Sequence, residues 1–287
     1  MFSKIKVGNL LIIFIILFAA LFAFFLTLSS CGTSKNQISS FSIYTSLEPI
    51  KFLIDNISGG EIPVGTLIKP GSDPHTFEIS AKQLSDLIKS KAYFSIDLPF
   101  EKTLIDKIKR QNKNFKVYQL FKEEEGDEDV HIWLSISKIK QVSENILSSI
   151  IELYPEKKDI YKENYNNLLN KLDNLNDIVR FNIESSNIKS FLVFHPALTY
   201  FANDYGLNQI SIENEGKVPS GSYLLEISKK IKKDNIRFIF VQEEFPIEQI
   251  SQFVKDNNLE VVKIEILNYN LFDTLLKISE IFTKYKK

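Results

Sequence analysis

The sequence predicts an α/β protein of two lobes, each a mainly parallel sheet with flanking helices, joined by one long helix. Three observations lead to this fold class. Short segments of strand-forming residues alternate with amphipathic helical segments between residues 41 and 151. The same alternation returns between residues 190 and 285. The stretch between these two runs, from Glu156 to Ser185, contains neither Gly nor Pro. Repeated alternation of strands and helices is typical of parallel sheets.

The first run is predicted to form the N-terminal lobe. Its expected strands are residues 41–45, 62–68, 91–96 and 115–120, and its expected helices are residues 49–57, 81–89, 100–108 and 137–151. In the last of these helices Ile139, Val142, Ile146 and Ile150 recur at helical spacing. This periodicity indicates one face directed at a core.

Between the two runs, the apolar residues follow one another at intervals of three and four. They are Tyr161, Tyr165, Leu168, Leu172, Leu175 and Val179. This spacing gives one narrow stripe on a helix, and about 30 residues of helix span about 45 Å. An ordinary surface helix of a single domain is the alternative, but the length and position favour a helix that joins two lobes.

The second run is predicted to form the C-terminal lobe. Its expected strands are residues 190–194, 209–212, 236–241 and 260–265, and its expected helices are residues 197–205, 220–233, 247–257 and 271–285. Together with the N-terminus discussed next, the chain is expected to divide into five parts. They are a signal peptide (residues 1–30), a tether (31–40), the N-terminal lobe (41–153), the linking helix (154–187) and the C-terminal lobe (188–287).

The N-terminus has the features of a secretion signal. Lys4 and Lys6 precede an unbroken apolar run from Leu10 to Leu26, and the only cysteine of the chain, Cys31, follows in Leu28-Ser-Ser-Cys. A basic start and an apolar run are typical of such signals. The run is also long enough for a marginal membrane span of roughly 17–25 residues, so an uncleaved signal anchor is the alternative. Because Leu28-Ser-Ser-Cys31 resembles the lipobox of bacterial lipoproteins, we expect cleavage before Cys31 and lipidation of its sulfur.

Composition limits the function classes. The 287 residues are 44% hydrophobic and 25% charged, with a formal net charge of −1. Without a basic field, nucleic acid is not an expected partner. With Cys31 lipidated, no disulfide can stabilise the mature body, which must depend on core packing.

The chain has only three histidines, and all three lie at predicted junctions between elements. His75 lies in the loop after the second strand, His131 just before a helix, and His195 directly after a strand. Loops at the carboxyl ends of parallel strands are where open α/β sheets bind ligands. Each histidine alone fits a structural or surface role better. Together, two in one lobe and one in the other, they favour a single metal site in the cleft between the lobes.

Four segments, in order, resemble the zinc/manganese solute-binding proteins of ABC importers. Gly71-Ser-Asp-Pro-His-Thr-Phe-Glu78 resembles that family's Gly-x-Asp-Pro-His-x-Tyr/Phe-Glu, and Asp129-Val-His-Ile-Trp-Leu134 its Asp-Pro-His-x-Trp-Leu, with Val130 in place of proline. Phe194 to Leu207 resembles the third segment and Ile212 to Ser220 the Glu-Gly-x-x-Pro-Ser segment. The resemblance extends from about residue 41 to the C-terminus.

The resemblance implies two lobes around a metal in the cleft. It carries over His75, His131 and His195 as ligands, with an acid at the end of the last strand as the fourth. Glu265 is the candidate for that position, where the family usually has aspartate. The alternative is that Glu265 faces solvent and water completes the site.

Three imidazoles and one carboxylate suit Zn²⁺ in tetrahedral geometry, whereas Mn²⁺ prefers more oxygen. We therefore expect zinc as the bound ion, with manganese as the alternative. Asp73, Glu78 and Asp129 flank the histidines and are candidates to orient them. The acidic run from Glu123 to Asp129 either captures metal weakly or is a solvated loop.

The resemblance implies an extracytoplasmic, lipid-anchored protein that captures a divalent ion and delivers it to a cognate ABC permease with its ATPase. We expect a monomer, held to the membrane through Cys31, and no enzymatic activity. The alternatives are a manganese-binding importer component, an adhesin on the same scaffold and, third, a zinc hydrolase. A hydrolase needs an open coordination position and a nearby general base.

Overall fold

The structure is a computed structural model that describes residues 41–122, 129–213 and 220–286. The predicted signal peptide, the tether with Cys31 and residues 123–128 of the acidic run lie outside the described residues. The described residues belong to one compact unit. None of the helices in these three ranges is both long and apolar enough to span a bilayer.

The N-terminal lobe is a four-stranded parallel sheet with the strand order β2-β1-β3-β4. In chain order its elements are β1 (Ile43–Thr45), α1 (Glu48–Ser58), β2 (Val64–Thr66), α2 (Ala81–Ile88), β3 (Ala92–Ser95), α3 (Pro99–Gln111), β4 (Lys116–Gln119) and α4 (Ile136–Leu153). A 3₁₀ turn, Ile132–Leu134, precedes α4. The predicted elements are therefore present, with ends shifted by at most three residues.

A buried carboxylate joins the carboxyl ends of β1 and β3 to the start of α3. Glu101, in the first turn of α3, is 1% exposed. Its two oxygens accept hydrogen bonds from the side chains of Ser46, Tyr93 and Ser95 and from the backbone N–H groups of Ile96 and Leu98. Because a buried charge is costly unless it is hydrogen-bonded, these donors must stay in place around it. Glu101 thus fixes the edge of the sheet on which the metal-site loops begin.

The C-terminal lobe repeats the arrangement, with a parallel sheet of order β6-β5-β7-β8. In chain order its elements are β5 (Ser190–Val193), α6 (Thr199–Tyr205), β6 (Asn208–Ser211), α7 (Gly221–Asp234), β7 (Phe238–Gln242), α8 (Ser251–Asp256), β8 (Glu260–Ile264) and α9 (Leu271–Lys284). The helix expected over residues 247–257 begins as a 3₁₀ turn, Ile247–Ile250, before α8.

The linking helix α5 (Lys158–Ser186) is continuous over 29 residues, about 44 Å. It ends where Asn187 adopts a left-handed conformation with φ 55°. The helix packs against α1 and α4 of one lobe and α9 of the other. Its buried apolar residues are Tyr161, Leu168, Leu172, Leu175, Val179 and Ile183. The predicted stripe therefore serves both lobes, and the two-lobed α/β fold class is confirmed.

The two lobes share one apolar core. A single buried cluster includes Ile54 and Ile139 of the N-terminal lobe, Leu172 of α5, and Phe201 and Phe282 of the C-terminal lobe. Two polar contacts add to it. The Trp133 indole N–H donates to the carbonyl of Ile266 at 2.8 Å. The Tyr269 hydroxyl donates to Asp55 at 2.9 Å. The described residues form one compact unit, so the boundaries of the two lobes within it remain a prediction from the sequence.

Candidate metal centre

The fold brings the three histidines together. One ring nitrogen from each of His75, His131 and His195 lies within 4.8 Å of the others. The ring centroids are 5.5 Å apart for His75 and His131, 4.9 Å for His75 and His195, and 5.2 Å for His131 and His195. Residues separated by more than 50 positions along the chain thus form one cluster.

Each histidine lies in a segment that follows a strand of a parallel sheet. His75 lies in the loop after β2, and His131 lies in the segment after β4, directly before the 3₁₀ turn. His195 lies two residues after β5, and the side chain of Gln242 at the end of β7 donates to its carbonyl at 3.0 Å. The cluster therefore forms where the carboxyl edges of the two sheets meet.

Asp129 determines the orientation of the His131 ring. Its Oδ1 atom lies 2.6 Å from His131 Nδ1 and also accepts the His131 backbone N–H at 2.9 Å. Burial alone would raise the pKa of Asp129, but the hydrogen bonds from His131 and Thr199 outweigh it and hold that pKa below its ordinary value. An ionised carboxylate can only accept, so it selects the tautomer with the proton on Nδ1. The Nε2 lone pair of the buried His131 is then free for a metal ion.

Glu213 has the same role for His195. Its Oε2 atom lies 2.6 Å from His195 Nδ1. The Nε2 atom of His195 is buried and has no hydrogen-bond partner among the described residues. A buried nitrogen whose lone pair accepts no hydrogen bond destabilises the fold unless a ligand such as a metal ion binds to it. His195 therefore presents Nε2 to the centre of the cluster.

His75 is held less firmly. Its side chain is exposed, and Asp73 accepts its backbone N–H at 2.8 Å rather than contacting the ring. Glu78, the other predicted flanking acid, is exposed. The loop is anchored beyond the histidine, where Phe77 packs edge-to-face on Phe100 at 4.9 Å.

The environment keeps two of the imidazoles neutral. Contact with the other two imidazole rings partly desolvates the His75 ring and lowers its pKa, and the positive charge that His195 can acquire lowers that pKa further. Burial likewise lowers the pKa of His195, followed by the contribution of His131. A pKa below the ordinary value of about 6.5 leaves an imidazole unprotonated at pH 7. Because metals bind the neutral ring, these shifts favour ligation.

Aromatic side chains confine the rings. Trp133 lies 5.1 Å from the His131 ring, and Phe245 lies 5.2 Å from the His195 ring. Packing of this kind leaves an imidazole few rotamers. His131 and His195 are thus fixed by a carboxylate on one side and an aromatic ring on the other.

Glu265, the predicted fourth ligand, is not part of the histidine cluster. It follows the end of β8, is half-buried, and accepts a hydrogen bond from Asn268 Nδ2 at 2.8 Å. It also lines a separate surface cavity with Glu243, Lys263 and Lys277. Its role as a ligand stays a prediction.

Glu213 is the site residue that sequence reasoning missed. Val193 of β5 pairs with Ser211 of β6, and His195 and Glu213 each lie two residues further on. The signal for this contact was therefore the register of the two strands.

Two parallel-sheet lobes that present a cluster of three histidines at their shared edge define a two-lobed metal-binding protein. The model of the family zinc-uptake complex component A, periplasmic (ZnuA), matches residues 43–272. The chain belongs to this family, as the sequence motifs predicted.

Individual proteins similar to this chain are also described as metal-binding proteins or as ZnuA. The zinc-binding lipoprotein AdcA of Streptococcus pneumoniae R6 is 28% identical over 276 residues, which cover 88% of this chain and 54% of AdcA. The chain thus spans about half the length of AdcA. A putative metal-binding protein of Chlamydia trachomatis serovar D is 26% identical, over 93% of this chain and 98% of that protein. A crystal structure of ZnuA is 29% identical with a TM-score of 0.79, over 84% of this chain and 97% of that chain.

Proposed function

We propose that this protein captures zinc outside the cytoplasmic membrane and delivers it to an ABC importer. The observation that carries the proposal is the convergence of three imidazoles, each on a different loop, with the rings of His131 and His195 oriented by carboxylates. Carboxylate–histidine pairs of this kind are typical of zinc ligands. Membership of the zinc-uptake family supports the same assignment.

The donor atoms favour zinc over manganese. Three nitrogen donors suit Zn²⁺, whereas Mn²⁺ prefers carboxylate, carbonyl and water oxygens. The carboxylates of Asp129 and Glu213 lie one hydrogen bond behind the ligands and together balance the charge of a divalent ion. Zinc bound by this chain is cargo, so the site must bind the ion tightly and still release it.

Glu265 is our candidate for the fourth ligand. Asn268 donates to its Oε2 atom, which leaves the other carboxylate oxygen available for a metal. Glu265→Gln should then weaken zinc binding at least about 10-fold, the lower end for loss of a supporting group. Unchanged affinity would assign the fourth position to water.

The remaining parts of the proposal concern location and partners. We propose that Cys31 carries the lipid that holds a monomer at the membrane, next to the permease and its ATPase. The pneumococcal relative is described as a lipoprotein, which supports this proposal. The zinc hydrolase alternative is less favoured, since the family to which the chain belongs is a transport component.

Elemental analysis of the purified mature chain, followed by competition of zinc against manganese for the apoprotein, tests the function. We expect one zinc per chain and much tighter binding of zinc than of manganese. His131→Ala should abolish tight binding, whereas Glu78→Gln, an exposed acid near His75, should leave it unchanged. Tight manganese binding with weak zinc binding would refute zinc as the cargo.

A further inference from the structure

One carboxylate contacts both of the fixed ligand segments. Asp129 Oδ1 holds the ring and the backbone of His131, two residues away. Its other oxygen, Oδ2, accepts the backbone N–H of Thr199 at 3.1 Å. Thr199 lies four residues after His195, at the start of α6 in the C-terminal lobe. Asp129 therefore spans the boundary between the lobes at the metal site itself.

We propose that Asp129 is a positioning residue that couples His131 to the segment carrying His195, and so sets the separation of these two ligands across the lobe boundary. This inference rests on the proposed function. It explains how ligands that belong to different lobes are held at a fixed distance from each other. The contact between Asp129 and Thr199 is then part of the binding site rather than a general contact between the lobes.

The segment that receives Asp129 is itself firmly held. Gln209 Oε1 accepts the Leu198 backbone N–H at 2.7 Å, and Gln209 Nε2 donates to Thr199 Oγ1 at 2.9 Å. Gln242 holds the carbonyl of His195 at 3.0 Å. Because both ends of the segment from His195 to Thr199 are fixed to β6 and β7, a restraint on Thr199 is also a restraint on His195.

Two neighbouring acids share only half of this arrangement. Glu213 orients the His195 ring but belongs to the same lobe as His195. Asp204 of α6 joins the lobes by accepting from Ser135 Oγ at 2.7 Å and from Ser137 Oγ at 2.6 Å, and neither serine is a candidate ligand. Asp129 both orients a candidate ligand and joins the lobes. Variants of the other two acids therefore serve as matched controls for variants of Asp129.

The test replaces each acid by its amide. In Asp129→Asn, one of the two oxygens becomes an NH₂ group, so the amide can accept from His131 or from Thr199 but not from both, and neither donor keeps a charged acceptor. We expect the zinc affinity to fall about 10–100-fold and the visible spectrum of the Co²⁺-substituted protein to change. Exchange of the Thr199 amide hydrogen should accelerate on the order of tenfold or more, since the amide loses a charged acceptor. Glu213→Gln should weaken zinc binding similarly but leave exchange at Thr199 slow.

Asp204→Asn controls for contact between the lobes in general. It should lower the thermal stability while leaving zinc affinity and the Co²⁺ spectrum unchanged. Asp129→Glu keeps the charge but lengthens the side chain, so it should not restore wild-type affinity. If Asp129→Glu binds zinc like the wild type, or if Asp204→Asn weakens binding as much as Asp129→Asn, the coupling role is wrong. Circular dichroism shows whether each variant folds. If Asp129→Asn does not fold, the comparison of zinc affinity between Asp129→Glu and the wild type decides the question. A wild-type protein that binds no zinc would instead refute the proposed function.

Discussion

The pH dependence of zinc affinity follows from the lowered pKa values of His75 and His195. In both rings burial is the largest cause, and a neighbouring imidazole adds to it. Protons compete with zinc only when the ligand nitrogen is protonated. A pKa below about 6.5 moves this competition to lower pH. Zinc affinity should therefore be constant from pH 8 to about 6.5 and fall below that range.

The steepness of the fall reports how many imidazoles bind the ion. Each ligand that must lose a proton changes the dissociation constant about tenfold per pH unit below its pKa. His75 and His195 together contribute a factor of about 100 per pH unit to this change once both are protonated. His75→Ala removes one of these two contributions and should reduce the limiting slope by a factor of about ten per unit.

Competition with a chelating dye, calibrated separately at each pH between 8 and 5, measures this slope. The reasoning would be refuted by a dissociation constant that stays constant down to pH 5, because neutral imidazoles would then not be the ligands. A decline that begins above pH 7 would contradict the direction of the pKa shifts.

Three further predictions concern stability and anchoring. Zinc at 1,000 times its dissociation constant should stabilise the fold by about 4 kcal/mol and raise the melting temperature by roughly 8–16 °C, reversibly on addition of EDTA in a thermal-shift assay. Glu101→Gln places an amide N–H₂ group against buried donors and should lower the free energy of unfolding by about 1–3 kcal/mol, measured by urea denaturation. Cys31→Ala should stop both fatty-acid labelling and partition into detergent, and retention of an intact N-terminus in the mature wild type would favour the signal anchor.

The fold could be predicted because its signals are local. Buried parallel strands such as β3 and β7 appear in the sequence as short apolar runs between amphipathic helices. The stripe on α5 is regular over more than five turns. Element ends were less predictable, as at β2, where three residues pair although the predicted strand was seven residues long. Pairing depends on the neighbouring strand, which the local sequence does not contain.

The site was predictable to the level of its three imidazoles, because position after a strand is a local property. The groups that orient them were not. Glu213 comes beside His195 through the pairing of β5 with β6, and Asp129 contacts Thr199 through the docking of one lobe on the other. Glu265 illustrates the same limit. Its place after β8 was correct, but its side chain bonds to Asn268, three residues further along a loop that the strand pattern does not describe.

The geometry also indicates how the site changes when zinc binds. Ligand nitrogens of tetrahedral zinc, each at 2.0–2.1 Å, are about 3.3 Å apart, whereas the three nitrogens here lie within 4.8 Å of one another. An approach of at most about 1.5 Å is thus enough, and the exposed His75 is the ligand best able to make it, since carboxylates fix the other two rings. A wide hinge motion would have to break the shared core and the contacts of α5 with both lobes. We therefore expect the radius of gyration from X-ray scattering to change by less than about 1 Å between apo and zinc-bound protein, with hydrogen exchange slowing mainly in the loop around His75. A larger change in the radius of gyration would contradict this reasoning and require the lobes to separate.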